Sequence, residues 1–487
     1  MKHFIKAIIL ILFFSSCEKR SVVTDMQTEK FTSELLELKE YFNIPGLAVS
    51  IEKEGETVYR EYFGESDVEN GTKLDSNTLF PIASITKVFS GVLLMRLVEK
   101  GKLSLSDPIN RYVLQPAIPD EILIHHVLSH TSQGNVGLHF YYSSRFSILT
   151  QVIEKASGQT FAEIVQNEIF IPLKLKNTFL LKDSTQIIGI AKPYILEDGV
   201  EDGFIDYGYS ASAGIVSNLE DLAIFNKAMD RDLIINKQSK ETMFSSFREG
   251  LPYGYGIFNQ QFENLNLVWA YGQYDCYSSL LLKVPSEDIT LILLANNSLL
   301  SDPARLIYGD VTSSLFALSF LKNFLLDLPQ MPLLESPETI TQDLDHQEIQ
   351  RKKILAQALS ESYMARYDTE KLESSAKLLE FVFTNYLDYL NYADLNLLHN
   401  LSFLKDVAFY KELGDFKRFD QQIETIGEQL SQQEPNNPYV HIYMGTYYDR
   451  KGNKEKARHH FESIVKAKNF SQNWYSWEAK KWLEENH

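Results

Sequence analysis

The chain is nearly free of cysteine. Only Cys17 and Cys276 occur among 487 residues, so no disulfide framework holds the fold. No CxxC or HExxH spacing is present, which leaves no basis for a metal site, and nothing calls for a cofactor. There is no glycine-rich phosphate loop and no cluster of lysine and arginine. At a formal net charge of −18, the chain lacks the positive surface that phosphate backbones require, which argues against nucleic acid as a partner. Residues 4–14 form an apolar run, but it is too short to cross a bilayer comfortably.

What is present fits a soluble, multi-domain architecture. Hydrophobic residues make up 44%, enough for a full core. The length suggests roughly two to four domains. The 26 Tyr and 30 Phe suit large packed interiors or aromatic-lined clefts. The start, MKHFIKAIILILFFSSCEKR, combines Lys2 and Lys6, an apolar core, Ser15 and Ser16, then Cys17. It resembles a bacterial lipoprotein signal. The resemblance implies a signal over 1–17, lipidation of Cys17, and a protein held at the bacterial cell envelope by its lipid alone. A plain signal peptide with an incidental cysteine is the other reading.

Residues 18–40 read as a polar tether running into a helix. The stretch PGLAVSIEKEGETVYREYFG (45–64) alternates as a hairpin with its turn at Glu54-Gly55. Residues 84–100 predict a buried helix, apolar on most faces and stopped by Gly101. A second helix is expected over 143–156. NLVWAY (266–271), SSLLLKV (278–284) and ITLILLA (289–295) read as strands. Strands at both ends with helices between give an α+β class for a domain over 41–326. Three prolines near 329–337 mark an extended linker over 327–345. Residues 346–487 show no strand alternation and read as wholly helical. There, 409–426 echoes 447–464, each with a glycine (Gly414, Gly452) at a presumed turn. PNNPYVHIYMGTYYDRKGNKEKARHHFESIV resembles a tetratricopeptide repeat, which implies a surface for a protein partner.

The chemistry centres on TLFPIASITKVFSGVLLMRLVEKGKLSL (78–105). Ser84 and Lys87 are one helical turn apart and share a face. Lys87 sits among apolar neighbours, and burial lowers a lysine pKa. A lysine so placed can deprotonate a serine. Taken alone, the pair is more often a helix cap and a snorkelling lysine, because S-x-x-K arises often by chance. Together with IPGLAVSIEKEGETVY, LVEKGKLSLSDPI, HHVLSHTSQG, YYSSRFSILTQVIEKASGQTF, SAGIVSNLEDLAIF and LLLKVPSEDITLILLAN, the stretch resembles the serine β-lactamase and penicillin-binding-protein superfamily, in its class C β-lactamase-like branch. That likeness runs from about residue 40 to 300 and implies an antiparallel sheet flanked by helices with an inserted helical subdomain.

The resemblance also implies roles. Ser84 is the acylated nucleophile and Lys87 its proton partner. Tyr142, in Tyr142-Ser143-Ser144, stands where the family has Y-x-N and is the general base, its phenolate favoured by the lysine. Tyr141 is its rival for the part. Ser144 replaces the family's asparagine, which holds a substrate carbonyl. The family's third element, K-T-G, maps onto Tyr271-Gly272-Gln273 with a one-residue deletion. The oxyanion-hole donors are the backbone N–H groups of Ser84 and Tyr274. Cys276 reads as a packing residue. With no cation in the third element, the expectation is a serine hydrolase acting on an ester or amide of a small-molecule or peptide substrate. A catalytically degenerate receptor for a cell-wall peptide, or a scaffold for a partner docked by 346–487, are the alternatives.

Overall fold

The computed structural model describes residues 24–113, 118–386, 394–413, 416–467, 470 and 474–486. The expected signal with Cys17, the first part of the tether, and Gly414 lie outside the described residues.

Strands β1 (Gly46–Lys53) and β2 (Glu56–Asp67) form the expected hairpin. Glu54 and Gly55 take φ of 54° and 78°, a turn whose twist matches that of the strands. Strand β3 (Thr72–Lys73) pairs antiparallel with the end of β2. A small sheet joins β4 (Phe80–Pro81), β5 (Phe179–Leu180) and β8 (Ile215–Ser217), and β6 (Tyr194–Leu196) pairs with β7 (Val200–Asp202). Near the domain's end come β9 (Phe258–Phe262), β10 (Leu265–Gln273), β11 (Ser278–Val284) and β12 (Ile289–Ala295). The main sheet runs β3-β2-β1-β12-β11-β10-β9, so both ends of the domain meet at the antiparallel β1–β12 pair.

Both faces of this sheet are covered, which explains why β12 is apolar at nearly every position. Helix α1 (Asp25–Tyr41) lies on one face, where Leu47, Leu280 and Leu293 point. On the other face, Ala48, Leu281 and Ile292 meet α2 (Thr86–Glu99). Around α2 gather α3 (Ile124–Leu128), α4 (Leu149–Ser157), α5 (Phe161–Val165), α6 (Ile171–Leu173), α7 (Leu219–Asp230) and α8 (Lys237–Phe244). Helix α9 (Leu315–Phe324) returns to the α1 face. The two predicted helices are recovered, each opened by a 3₁₀ turn: Ala83–Ile85 before α2 and Ser144–Ile148 before α4.

The remaining chain is helical as read: α10 (Gln347–Met364), α11 (Glu370–Asn385), α12 (Leu395–Tyr410), α13 (Asp420–Gln433), α14 (Pro438–Arg450), α15 (Lys454–Lys466) and α16 (Trp474–Glu485). It is packed onto the first region rather than tethered to it. Helix α10 sends Ile349, Ala356 and Met364 into the core beneath α1 and α9, and Ile354 and Ala358 into the tail's own core. Residues 327–345 carry neither helix nor strand, but they are not a free spacer. Leu333 is buried, Gln357 exchanges two hydrogen bonds with the Glu335 backbone, and Lys353 holds the Pro332 carbonyl at 2.7 Å.

Candidate active site

Ser84 stands on the 3₁₀ turn that opens α2. The residue before it, Ala83, takes φ of 44°, a left-handed conformation that costs about 1–2 kcal/mol outside glycine. The segment is pinned on both sides: the Ile82 N–H donates to the Ile215 carbonyl, and the Ile82 carbonyl accepts from Ser279 Oγ at 3.0 Å. Ser84 lines a pocket of about 350 Å³ together with Tyr142, Tyr271, Gln273, Tyr274 and Arg305.

Lys87 follows one turn later, its Nζ 2.8 Å from Ser84 Oγ and 3.1 Å from the Ser212 carbonyl. It is buried among apolar groups, and that loss of hydration pulls its pKa down to about 7. The Tyr142 hydroxyl hydrogen-bonds to Ser84. Burial pushes this phenol well above its ordinary value. Lys87 Nζ lies over the Tyr142 ring, 4.9 Å from its centroid. Burial thus works against the expected phenolate. Tyr141 turns away, its ring 5.1 Å from that of Phe470, so Tyr142 takes the place by Ser84.

His130 was not singled out by sequence, although it lies within HHVLSHTSQG. It stacks on Tyr142 at 4.3 Å and its Nδ1 accepts the Ser143 N–H. Burial and the nearby Lys87 keep it neutral. Ser144 departs from expectation: it is exposed and does not line the pocket. Ser143, its neighbour, is buried and caps the 3₁₀ turn.

The third element needs a correction of one residue. The Tyr274 N–H donates to the Tyr277 carbonyl at 2.8 Å, closing the β10–β11 turn, so it is not available to an oxyanion. In an antiparallel ladder the hydrogen-bonding direction alternates. Gln273, opposite Ser278, therefore turns its N–H to the other edge, which β9 leaves open beyond Trp269. A Cβ on Gly272 would meet the Ile82 carbonyl oxygen at 2.1 Å. Gly272 is thus where the motif's glycine must stand, and the triplet is Ala270-Tyr271-Gly272 with no deletion. Cys276 is buried and accepts the Phe204 N–H, as a packing residue would.

No cation comes from that triplet, but one reaches the pocket from elsewhere. Arg305 takes φ of 47°, donates from Nε to His399 Nε2 at 2.9 Å on the tail helix α12, and pairs with Asp302 at 3.1 Å. Asp206 and Asp275 also line the pocket. Neither Arg305 nor these carboxylates carry a local motif.

Residues 37–309 match the family described as Beta-lactamase. The chain belongs to that family. A penicillin-binding protein of Bacillus subtilis (strain 168) is 26% identical over 299 residues, covering 50% of this chain and 66% of the relative. The protein flp of Staphylococcus aureus (strain MW2) is 24% identical over 300 residues, 52% of this chain and 60% of its own. The match thus spans less than two thirds of either curated relative. Among solved structures, the octameric penicillin-binding protein homologue from Pyrococcus abyssi superposes with a TM-score of 0.54 at 26% identity, over 60% of this chain and 77% of its own. The D-amino acid amidase from Ochrobactrum anthropi SV3 gives 0.51 at 20% identity, over 56% and 92%, and bears on the fold. These matches make the first region of this family member a serine-hydrolase scaffold. Among the described residues, no helix is long and apolar enough to cross a membrane.

Proposed function

We propose that the protein is a serine hydrolase that cleaves an ester or amide through an acyl-enzyme on Ser84. The observation that carries this reading is the 2.8 Å contact between Ser84 Oγ and a buried Lys87 whose pKa is drawn down to about 7. An amine near neutrality accepts a proton at working pH, which an ordinary lysine does not. In this scheme neutral Lys87 takes the Ser84 proton as Oγ attacks the carbonyl carbon. The oxyanion is met by the N–H groups of Ser84 and Gln273. Tyr142, protonated at rest, passes its proton to the leaving oxygen or nitrogen. Water then attacks the acyl carbon and gives its proton to the Tyr142 oxygen, and Lys87 returns the serine proton to Ser84 Oγ as the acid leaves. His130, stacked on Tyr142, positions it.

Arg305 brings a guanidinium to the pocket, where it is paired with Asp302, and it would meet a substrate carboxylate only by exchanging that partner. Hydrolysis of p-nitrophenyl acetate and of a D-amino-acid p-nitroanilide by the native chain and Ser84→Ala tests the reading. Turnover should be lost in the variant. Arg305→Gln should raise KM about tenfold for a substrate with a free carboxylate and leave its methyl ester little changed. Equal effects on both would remove Arg305 from substrate binding. The lipid at Cys17 and envelope location belong to the same proposal, and intact mass of the membrane-extracted chain tests them.

A further inference from the structure

Tyr142 faces two cavities. One is the pocket over Ser84. The other, about 620 Å³, lies between the catalytic region and the helical tail. Ile307 also lines both, so the two cavities lie against each other at Tyr142 and Ile307. The second cavity has aromatic walls in Phe140, Tyr308 and Tyr439, and the tail closes it with residues of α10, α12, α13 and α14.

Its charge is unbalanced. Asp310, Glu348, Asp394 and Glu434 line it against Arg351 and Lys352. Lys352 pairs with Asp310 at 2.7 Å and Arg351 with Glu348 at 2.6 Å. Among the described residues, Asp394 and Glu434 form no ion pair with lysine or arginine; Glu434 lies 3.8 Å from His139 Nδ1. Asn396 Oδ1, also on this wall, is buried with no donor facing it. Burial pushes the Asp394 carboxyl up toward its neutral form, with Lys352 acting against that, so the cavity holds a surplus charge on Glu434, a carboxyl on Asp394 that a cation would ionise, and a surplus acceptor. Carboxylates withdrawn from water without a counter-charge are costly, and a cationic ligand relieves that cost.

We infer that this cavity binds an ammonium-bearing part of the substrate, a primary amine several bonds from the scissile carbonyl. The position of that carbonyl rests on the hydrolase reading; the charge of the cavity does not. The helical tail is then a wall of the binding site that sets specificity.

The test separates the two. On full-length Ser84→Ala protein, isothermal titration should show hexylamine binding about tenfold tighter than hexan-1-ol, with hexanoate weaker still. Glu434→Gln, and Glu434→Gln combined with Asp394→Asn, should erase the preference for the amine. Asparagine keeps the bond from the Leu397 N–H that caps α12, and an unchanged unfolding midpoint certifies the fold. With native protein, p-nitrophenyl 6-aminohexanoate should show a KM about tenfold below that of p-nitrophenyl hexanoate, and the single variant should equalise them. Equal binding of hexylamine and hexan-1-ol, or a preference that survives both variants, overturns the inference. Amine-selective binding without ester turnover would sustain it and remove the hydrolase reading.

Discussion

Lys87→Met abolishes turnover while making the protein more stable. Activity should fall by about 10³-fold or more, since the serine loses the group that takes its proton. The native enzyme should show kcat/KM rising with pH through about 7, where Lys87 becomes neutral, then levelling. Stability follows from the same shift. Lys87 titrates near 7 in the folded chain and near its ordinary 10.5 when unfolded. Between these values the unfolded chain binds more protons, so stability rises with pH across that window and is at its lowest below it. At pH 7 the penalty is on the order of 4 kcal/mol. Methionine removes it but forfeits the bonds to Ser84 and the Ser212 carbonyl, worth about 2 kcal/mol together. Urea unfolding of the variant should show a net gain of about 2 kcal/mol. A loss of stability would mean that Lys87 is hydrated in solution and unsuited as a base.

Gly272→Ala should damage both wall and nucleophile. Its Cβ would press the Ile82 carbonyl, backbone two residues before Ser84, and Ser279 Oγ, which that carbonyl binds. The carbonyl cannot yield without moving the 3₁₀ turn or β10, and Ser279 Oγ yields only by giving up its bond to that carbonyl. The expected cost is about 2 kcal/mol of stability and a fall in kcat of about 100-fold or more, because the Gln273 and Ser84 N–H groups separate. Ester turnover and thermal unfolding read the two effects. A variant as active as the native chain would contradict the assignment of Gly272 as the motif's glycine.

How much of this was legible beforehand depended on distance along the chain. Ser84 and Lys87 lie within one turn, so spacing alone put them on one face. The strands of β10, β11 and β12 announced themselves through apolar runs. Ser144 misled because a motif position fixes the backbone path but not whether the 3₁₀ turn leaves the side chain outside. Tyr274 misled because the direction of an N–H depends on the parity of strand pairing, which only the β10–β11 register reveals. Arg305 was invisible for a further reason: it follows the last strand without a motif, and the residue that holds it, His399, comes 94 positions later. The linker misled in degree. It turns at 328–331 and 336–339, and Leu333 and the Glu335 backbone fasten it to α10.

The central claim is that Ser84 is an activated nucleophile. Intact-mass spectrometry of the purified chain after exposure to a fluorophosphonate tests it most directly, with Ser84→Ala alongside. The account predicts one phosphonyl adduct on the native chain, forming faster as pH rises through about 7, and none on the variant. A folded native chain that takes up no adduct, or an adduct that persists in Ser84→Ala, would contradict it.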